Sequence, residues 1–464
     1  MNMKGLEDPN KKEPKFHYKI FRVFSVIRHG EAPTALLLTV NVFLLLTAYY
    51  IIKPVRDALI LAGKGPEWKS YLSAAQAVLL VLVIKIFSNL ASKVPRQVLI
   101  TWVTLFFISN LFIFYLLHLL GMSLDAMGVI FYIWVGIFSV MVLAQFWGFA
   151  NDIYTNEAGK RLFPIIAFGA TFGGFSGSAI AGFLVKPLGL YQMMLVAGGI
   201  LGACILLTLI IHKREIQGNN PDTPRADIPG EFEKKDQTKP LEKGNGFRLV
   251  FKNRYLLFIA LLVLLLNFVN SNGEYILSNI VTRTATEAVQ SGTAEGLDKA
   301  QFIGKFYADF MVIFNLIAMF IQLFLVSRIF RWVGVKGALF VLPLIAFGGY
   351  VFIALGASLL IVKWAKALEN GTDYSLMNTT RHALFLITSR EEKYKAKAAI
   401  DTFFQRAGDI LSALLVFIGT TYLASNVEGL AKLNIGLIII WMILCVLIMK
   451  LYKRLSSLNK APLV

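Results

Sequence analysis

The chain has 464 residues, of which 56% are hydrophobic and only 16% are charged. A soluble protein carries roughly a quarter charged residues, so the composition excludes an ordinary soluble protein and indicates an integral membrane protein. The formal net charge is +18, but the basic residues lie between apolar runs. The positive-inside rule explains that distribution better than nucleic-acid binding does.

The first 34 residues are polar and basic, without the apolar core of a signal peptide. Apolar runs long enough for one bilayer crossing then recur along the chain. They lie near 35–57, 71–92, 97–119, 127–150, 162–185, 190–211, 255–278, 302–327, 337–357, 359–387, 396–423 and 433–452. The sequence therefore predicts an all-α integral membrane protein with twelve transmembrane helices.

A long polar stretch divides these runs into two sets of six. The predicted parts are an N-terminal segment (1–34), a first half (35–211), a linker (212–253), a second half (254–454) and a tail (455–464). Basic residues dominate the loops on one side, which places both termini, the linker and the tail in the cytoplasm.

An internal repeat supports the two-half organisation. Residues 157–173 align with residues 392–408, and the alignment superposes Gly173 on Gly408. Both segments join the fourth span of their half to the fifth. Two six-helix halves related by an axis along the membrane normal are the plan of major facilitator transporters.

The first span ends in two cations and a carboxylate, Lys53, Arg56 and Asp57. Charges within membrane segments usually face a cavity and mark a substrate or ion path. The alternative is that Lys53 and Arg56 extend to the lipid headgroups as anchors. In the seventh span, Glu274 could gate the site, pair with Lys53 or Arg56, or carry a proton.

The tenth span carries a stripe of polar residues at helical spacing. They are Lys363, Lys366, Asn370, Asp373 and Arg381. A charge at mid-depth in the bilayer costs roughly 2.5–3.5 kcal/mol, so this face should line water or meet partner charges. We expect a cavity, with a purely structural salt-bridge seam as the alternative.

Two further segments hold polar residues at the ends of spans. Lys395, Lys397 and Asp401 begin the eleventh span, and Lys397 and Asp401 lie one helical turn apart on one face. Asn151 closes the fourth span. It is followed by glycines at every fourth position, from Gly169 to Gly177, which we interpret as helix packing rather than phosphate binding.

Motifs for several enzyme classes are absent. The sequence has no Gly-x-x-x-x-Gly-Lys-Ser/Thr loop for ATP hydrolysis and no Gly-x-Ser-x-Gly nucleophile motif. The five histidines and two cysteines form no ligand cluster. The sequence gives no reason to expect an enzyme, a cofactor or a metal.

Three motifs resemble a known family, the bacterial and plastid ATP/ADP translocases. Residues 52–65, with Lys53, Arg56 and Asp57, resemble the family's first-span signature. Residues 145–151 (Gln-Phe-Trp-Gly-Phe-Ala-Asn) resemble its fourth-span motif, and residues 395–401 (Lys-Ala-Lys-Ala-Ala-Ile-Asp) resemble its Lys-Gly-Lys-Ala-Ala-Ile-Asp motif. The chain departs from these patterns at Pro54 and Ala396, and its tenth-span stripe is not a family feature.

The resemblance implies a twelve-span, major-facilitator-like protein that exchanges nucleotides, typically ATP for ADP, in the bacterial inner membrane. We expect it to function as a monomer in the lipid bilayer. The residues it implicates in substrate contact or gating are Lys53, Arg56, Asp57, Asn151, Glu274, Lys395 and Lys397. The charge pattern adds Lys363, Lys366, Arg381 and Asp401 as candidate substrate-binding residues.

The chemistry of such a substrate is consistent with these residues. Cations supply charge-assisted hydrogen bonds to phosphates, and Tyr49, Tyr50, Phe146 or Trp147 could stack a base. An empty cavity rich in cations would repel itself, which favours exchange over uniport. Two alternatives stay open: transport of another anionic or phosphorylated metabolite, with proton coupling through Glu274 or Asp401, and a non-transporting receptor or scaffold.

Overall fold

The computed structural model describes residues 31–91, 94, 96–154, 156–216, 246–389, 391–422 and 426–458. Every regular element in these stretches is a helix. Residues 1–30 of the predicted N-terminal segment, residues 217–245 of the predicted linker and residues 459–464 of the predicted tail lie outside the described part of the chain.

The first half consists of six long helices. They are α1 (Glu31–Gly63), α2 (Pro66–Ala91), α3 (Arg96–Leu119), α4 (Leu124–Ile153), α5 (Asn156–Leu188) and α6 (Leu190–Ile216). Helix α2 begins five residues before the predicted span, with Pro66 at its first position, where a missing N–H costs nothing. The residues between Pro66 and Tyr71 are therefore helical and not a loop.

The second half has more breaks. Its helices are α7 (Gly246–Lys252), α8 (Arg254–Gln290), α9 (Lys299–Phe320), α10 (Val326–Ala354), α11 (Leu359–Thr372), α12 (Asn378–Leu384), α13 (Gln405–Tyr422) and α14 (Val427–Leu458). Wider π-helical turns join some of them, at Ile321–Leu325, Asp373–Met377, Glu392–Ala396 and Ile400–Phe404. Such turns are frequent at functional sites.

Ten helices of the described chain are long and apolar enough to cross a membrane. Two features account for the difference from the predicted twelve. The run Lys299–Ala354 counts once, although Gly334, at φ +66°, interrupts it between two of the predicted spans. The predicted tenth span is not among the ten, because it carries the charged stripe. The number twelve stays a prediction.

Close backbone contact joins α5 to α1. A Cβ atom at Gly169 would lie 2.6 Å from the Thr39 carbonyl oxygen, and one at Gly177 would lie 2.5 Å from that of Thr47. The glycine spacing therefore serves helix packing, as the sequence indicated.

The glycine that the internal repeat superposes on Gly173 makes the same kind of contact in the second half. A Cβ atom at Gly173 would collide with the Phe43 carbonyl oxygen in α1, and one at Gly408 would lie 2.6 Å from the Leu264 carbonyl oxygen in α8. In each half, this glycine packs against the backbone of the first long helix.

The two halves meet along two seams. Helix α9 packs against α1 and α5, and α13 packs against α2. These contacts enclose a polar cavity between the halves, which is lined in part by the last third of α1, the middle of α8 and the end of α11.

Candidate functional site

The central cavity has an empty volume of about 890 Å³, including the part open to solvent. Its charged lining residues come from both halves: Lys53, Arg56, Asp57, Lys69, Glu274 and Asp409. Three cations thus face three carboxylates, so the lining is balanced in formal charge, whereas the sequence led us to expect an excess of cations.

Arg56 and Asp57 form a tight pair at one side of the cavity. Arg56 Nη2 lies 2.9 Å from Asp57 Oδ1, and Arg56 Nε donates to the same oxygen at 3.2 Å. The Tyr132 ring lies under the guanidinium, 4.8 Å from its carbon. Asp57 is buried, and a buried carboxylate needs such partners to remain ionised.

Lys69 links the two halves. Its ammonium lies 3.4 Å from Asp57 Oδ1 in α1 and 3.8 Å from Glu274 Oε2 in α8. It also donates to the Tyr307 hydroxyl at 3.2 Å, and that hydroxyl lies 2.9 Å from Ser278 Oγ. Of the three roles left open for Glu274, the structure shows a pairing, but with Lys69 instead of Lys53 or Arg56.

Lys53 has a different environment from the other two cations. Within the described part of the chain, no carboxylate forms an ion pair with Lys53. Its ammonium lies 5.2 Å from the centre of the Tyr50 ring and 5.8 Å from that of Phe314. The aromatic faces stabilise the charge without neutralising it, so Lys53 remains able to bind an anion.

The wall behind Glu274 is a network of buried polar groups. Lys366 is 1% exposed and forms an ion pair of 2.9 Å with Glu369, one turn later on α11. Lys366 Nζ also donates to Asn270 Oδ1 at 3.2 Å, and Asn370 Nδ2 donates to Glu274 Oε1 at 3.2 Å. Of this network, Asn270, Asn370 and Glu274 line the cavity.

A second charged cluster joins α12 to the turn before α13, and its residues do not line the cavity. Arg381 Nη2 donates to Asp401 Oδ1 at 2.7 Å, and Lys397 Nζ lies 3.0 Å from Asp401 Oδ2. Lys395 pairs with Glu391 at 2.7 Å. Of the tenth-span charges, Arg381 is thus paired with a carboxylate of the next predicted span.

The remaining two predicted site residues also lie outside the cavity lining. Asn151 is exposed at the end of α4. Lys363 is half-buried, with its ammonium 5.3 Å from the centre of the Phe306 ring. Four of the predicted residues, Lys53, Arg56, Asp57 and Glu274, are therefore brought together in the lining, and the others are not.

Sequence reasoning missed Lys69. It lies five residues after Lys64, in a polar stretch that resembles an exposed turn. The available signal was Pro66, which commonly occupies the first position of a helix. A helix beginning there carries Lys69 on its second turn, at the same membrane depth as Asp57.

A hydrogen bond between the halves lies next to Lys69. The Tyr275 hydroxyl in α8 donates to Glu67 Oε1 in α2 at 3.0 Å. Tyr275 lines the central cavity and also a second cavity near Arg283 and Glu428. Its side chain therefore lies between the central cavity and this second cavity.

The described ranges contain no group of three or more His, Cys, Asp or Glu side chains that could hold a metal ion. The site instead offers one unpaired ammonium, two paired cations, amide groups and aromatic rings. That set suits an organic anion.

Comparisons with known sequences match most of this chain to one family. The family model described as TLC ATP/ADP transporter matches residues 122–454. ADP,ATP carrier protein 1 of Chlamydia trachomatis is 25% identical over 480 aligned positions, which cover 89% of this chain and 88% of that protein. ADP,ATP carrier protein 1 of Chlamydia pneumoniae is 27% identical over 359 positions, which cover 69% of this chain and 66% of that protein.

Solved structures share the fold. The nucleoside transporter NupG superposes with a TM-score of 0.62 at 14% identity, covering 90% of this chain and 99% of that structure. The POT family transporter PepTSo gives a TM-score of 0.60 at 13% identity, and the match covers 91% of this chain and 98% of that structure. At such identities the likeness concerns the fold alone. The predicted all-α, major-facilitator-like membrane fold is confirmed.

Proposed function

The chain belongs to the TLC ATP/ADP transporter family, and from that premise we propose that it is a membrane antiporter exchanging ATP for ADP by alternating access. The observation that carries the proposal is the central cavity between the halves. In it Lys53, Arg56 and Asp57 from the first half meet Glu274 from the second. A midplane site shared by two halves is what alternating access requires.

The proposed substrate needs more positive charge than Lys53 alone provides. A nucleotide di- or triphosphate carries several negative charges, while Arg56 and Lys69 are paired with Asp57 and Glu274 in the empty cavity. Charge-assisted bonds to phosphate are strong. We infer that bound phosphates draw Lys69 and Arg56 away from these carboxylates.

This competition gives a physical reason for exchange. In the empty cavity, Lys69 joins Asp57 of one half to Glu274 of the other. When the phosphates take over Lys69, that link between the halves weakens and reorientation becomes easier. An empty transporter keeps the link and reorients slowly, so net uptake depends on a substrate for the return step.

The other predicted residues have a place in the same proposal. We assign the cluster of Arg381, Lys397 and Asp401 to the cytoplasmic side of the route, where it would hold α12 near α13 in one state. Lys366 would position Asn270 in the cavity wall. The proposed orientation has both termini in the cytoplasm, in a bacterial inner membrane, and the functional unit is a monomer with two six-helix halves.

Uptake of labelled ATP into liposomes that carry the purified protein tests the function. One set of vesicles holds ADP inside, and the other holds buffer. We expect rapid uptake only into the ADP-loaded set. Equal uptake into both sets would contradict exchange. No uptake into either, by protein shown to be folded, would favour another anion, and stimulation by a pH gradient alone would favour proton coupling.

A further inference from the structure

Six aromatic residues line the central cavity, and one of them differs from the rest. Tyr132, Tyr275, Tyr307, Phe310 and Phe314 are each 4% exposed or less, whereas Tyr374 is 60% exposed. The Tyr132 and Tyr307 rings are also covered by Arg56 and Lys69, respectively. Tyr374 is therefore the aromatic lining residue, among those described, with the most ring surface open to a ligand.

The Tyr374 ring is held in place from behind. It stacks on Phe314 of α9, with ring centres 5.8 Å apart and an interplanar angle of 27°. It lies in the π-helical turn Asp373–Met377, where a widened turn interrupts the helix. Turns of this kind often occur at functional sites.

The aromatic pair adjoins the unpaired cation. Lys53 Nζ lies 5.8 Å from the centre of the Phe314 ring that backs Tyr374. A ligand with a flat ring on Tyr374 and an anionic group on Lys53 would therefore span only a short distance. A nucleotide has that layout, with a base at one end and phosphates at the other.

Two amide side chains near the ring have unused hydrogen-bonding groups. Asn370, one turn before Tyr374, donates through Nδ2 to Glu274, and Asn270 accepts through Oδ1 from Lys366. Within the described residues, Asn370 Oδ1 and Asn270 Nδ2 have no partner. The wall thus presents one acceptor and one donor, which complement the amino group and a ring nitrogen of adenine.

We propose that Tyr374, backed by Phe314, is the stacking surface for the nucleobase, and that Asn370 and Asn270 select an aminopurine such as adenine. This inference rests on the proposed nucleotide transport and names the part of the cavity that recognises the base. It replaces the four aromatic residues that the sequence offered for stacking, none of which lines the central cavity: Tyr49, Tyr50, Phe146 and Trp147.

Competition against uptake of labelled ATP into ADP-loaded vesicles tests the proposal. The competitors are unlabelled ATP and inorganic triphosphate, which has phosphates but no base. In Tyr374→Leu, the ATP concentration for half-inhibition should rise about 5- to 150-fold, as expected for loss of one base–aromatic stack. The value for inorganic triphosphate should change less than twofold. Tyr422→Leu, an exposed tyrosine outside the cavity lining, should leave both values unchanged.

An equal change for both competitors in Tyr374→Leu, or no change for either, would overturn the proposal. If Tyr374→Leu does not fold, the unaltered protein decides, because inorganic triphosphate competing as well as ATP would show that no base is recognised. A failure of nucleotide transport itself is separate, since unaltered protein would then take up no labelled ATP at all.

Discussion

Individual charges in this protein are arranged mainly in pairs. Lys366 and Glu369 show the rule most clearly, because both are buried and their charged atoms lie 2.9 Å apart. A buried charge without a partner is strongly unfavourable. Such pairs hold the cavity wall, whereas Lys53 in the cavity lining forms no ion pair within the described residues.

Replacing Lys366 with methionine should destabilise the protein. The change leaves the Glu369 carboxylate buried without its partner, which costs about 3–5 kcal/mol when a buried pair is broken. We expect the unfolding midpoint of the purified protein to fall clearly. The midpoint is measured by size-exclusion chromatography of samples heated to a series of temperatures. The double variant Lys366→Met, Glu369→Gln should recover much of the loss. A single variant as stable as the unaltered protein would show that the pair contributes little.

At the residue scale, sequence reasoning identified the residues but not their partners. Lys53, Arg56, Asp57 and Glu274 were selected because charge in apolar segments is costly, and they line one cavity. The partner of Glu274 could not be predicted, because it depends on how α2 packs against α8. Lys69 itself was missed for a different reason, because the helix start at Pro66 was not recognised.

At the scale of helices, glycines determine how closely α5 approaches α1. The Cβ positions at Gly169 and Gly177 would lie 2.6 Å and 2.5 Å from backbone oxygens. No side chain fits at these distances. The contact therefore depends on glycine and fixes the position of the charged end of α1 relative to its half.

Gly177→Ala should weaken this packing. The added methyl group meets backbone, which moves only at a cost of about 1–3 kcal/mol, so the unfolding midpoint should fall. Gly199→Ala on α6 is the matched control, because nothing lies within 4 Å of its Cβ position. That control should keep or slightly raise the midpoint, since alanine favours helix. The same midpoint for both variants would argue against close packing of α5 on α1.

The elements were predictable to different degrees. The four-residue glycine spacing from Gly169 indicated close packing, and the structure agrees. No residue pattern in the sequence predicted the π-helical turn at Asp373–Met377, because widened turns depend on the packing around them. The break at Gly334 was placed only as a polar link between two apolar runs.

At the scale of the whole molecule, two polar contacts join the halves on one side of the cavity. Lys69 pairs with Glu274, and Tyr275 donates to Glu67. Both contacts join α2 to α8. We expect them to hold the predicted outer side closed.

Lys69→Gln should shift the protein toward an outward-open state. The lost ion pair is partly exposed and worth about 1 kcal/mol, which corresponds to about a fivefold change in population. Ser73→Cys, in the cavity lining, reports opening to a membrane-impermeant thiol reagent added outside, and the two native cysteines are buried. Labelling should be about fivefold faster in Lys69→Gln.

Lys305→Gln serves as the control for that shift. Lys305 pairs with Asp309 on its own helix, so its loss should leave labelling of Ser73→Cys unchanged. Equal acceleration by both substitutions would contradict a role for Lys69 as a link between the halves.

A plan of two halves was predicted from the sequence, because hydropathy and the short repeat both indicate it. The shape of the cavity was not, since it depends on how α9 and α13 of one half pack against the other. The tenth-span charges show the limit. Their periodicity required partners or water, but only the packed structure shows that Lys366 and Arg381 have carboxylate partners.

The central claim is that nucleotides pass through the cavity at Lys53, and one comparison tests it most directly. Uptake of labelled ATP into ADP-loaded vesicles is measured for Lys53→Gln and for Lys85→Gln, an exposed lysine of α2 outside the cavity lining. We predict that Lys53→Gln loses at least about nine-tenths of the initial rate, as expected for a charge-assisted phosphate contact of about 1.5–3 kcal/mol, while Lys85→Gln keeps it. Full uptake by Lys53→Gln, or equal loss in both variants, would contradict the claim.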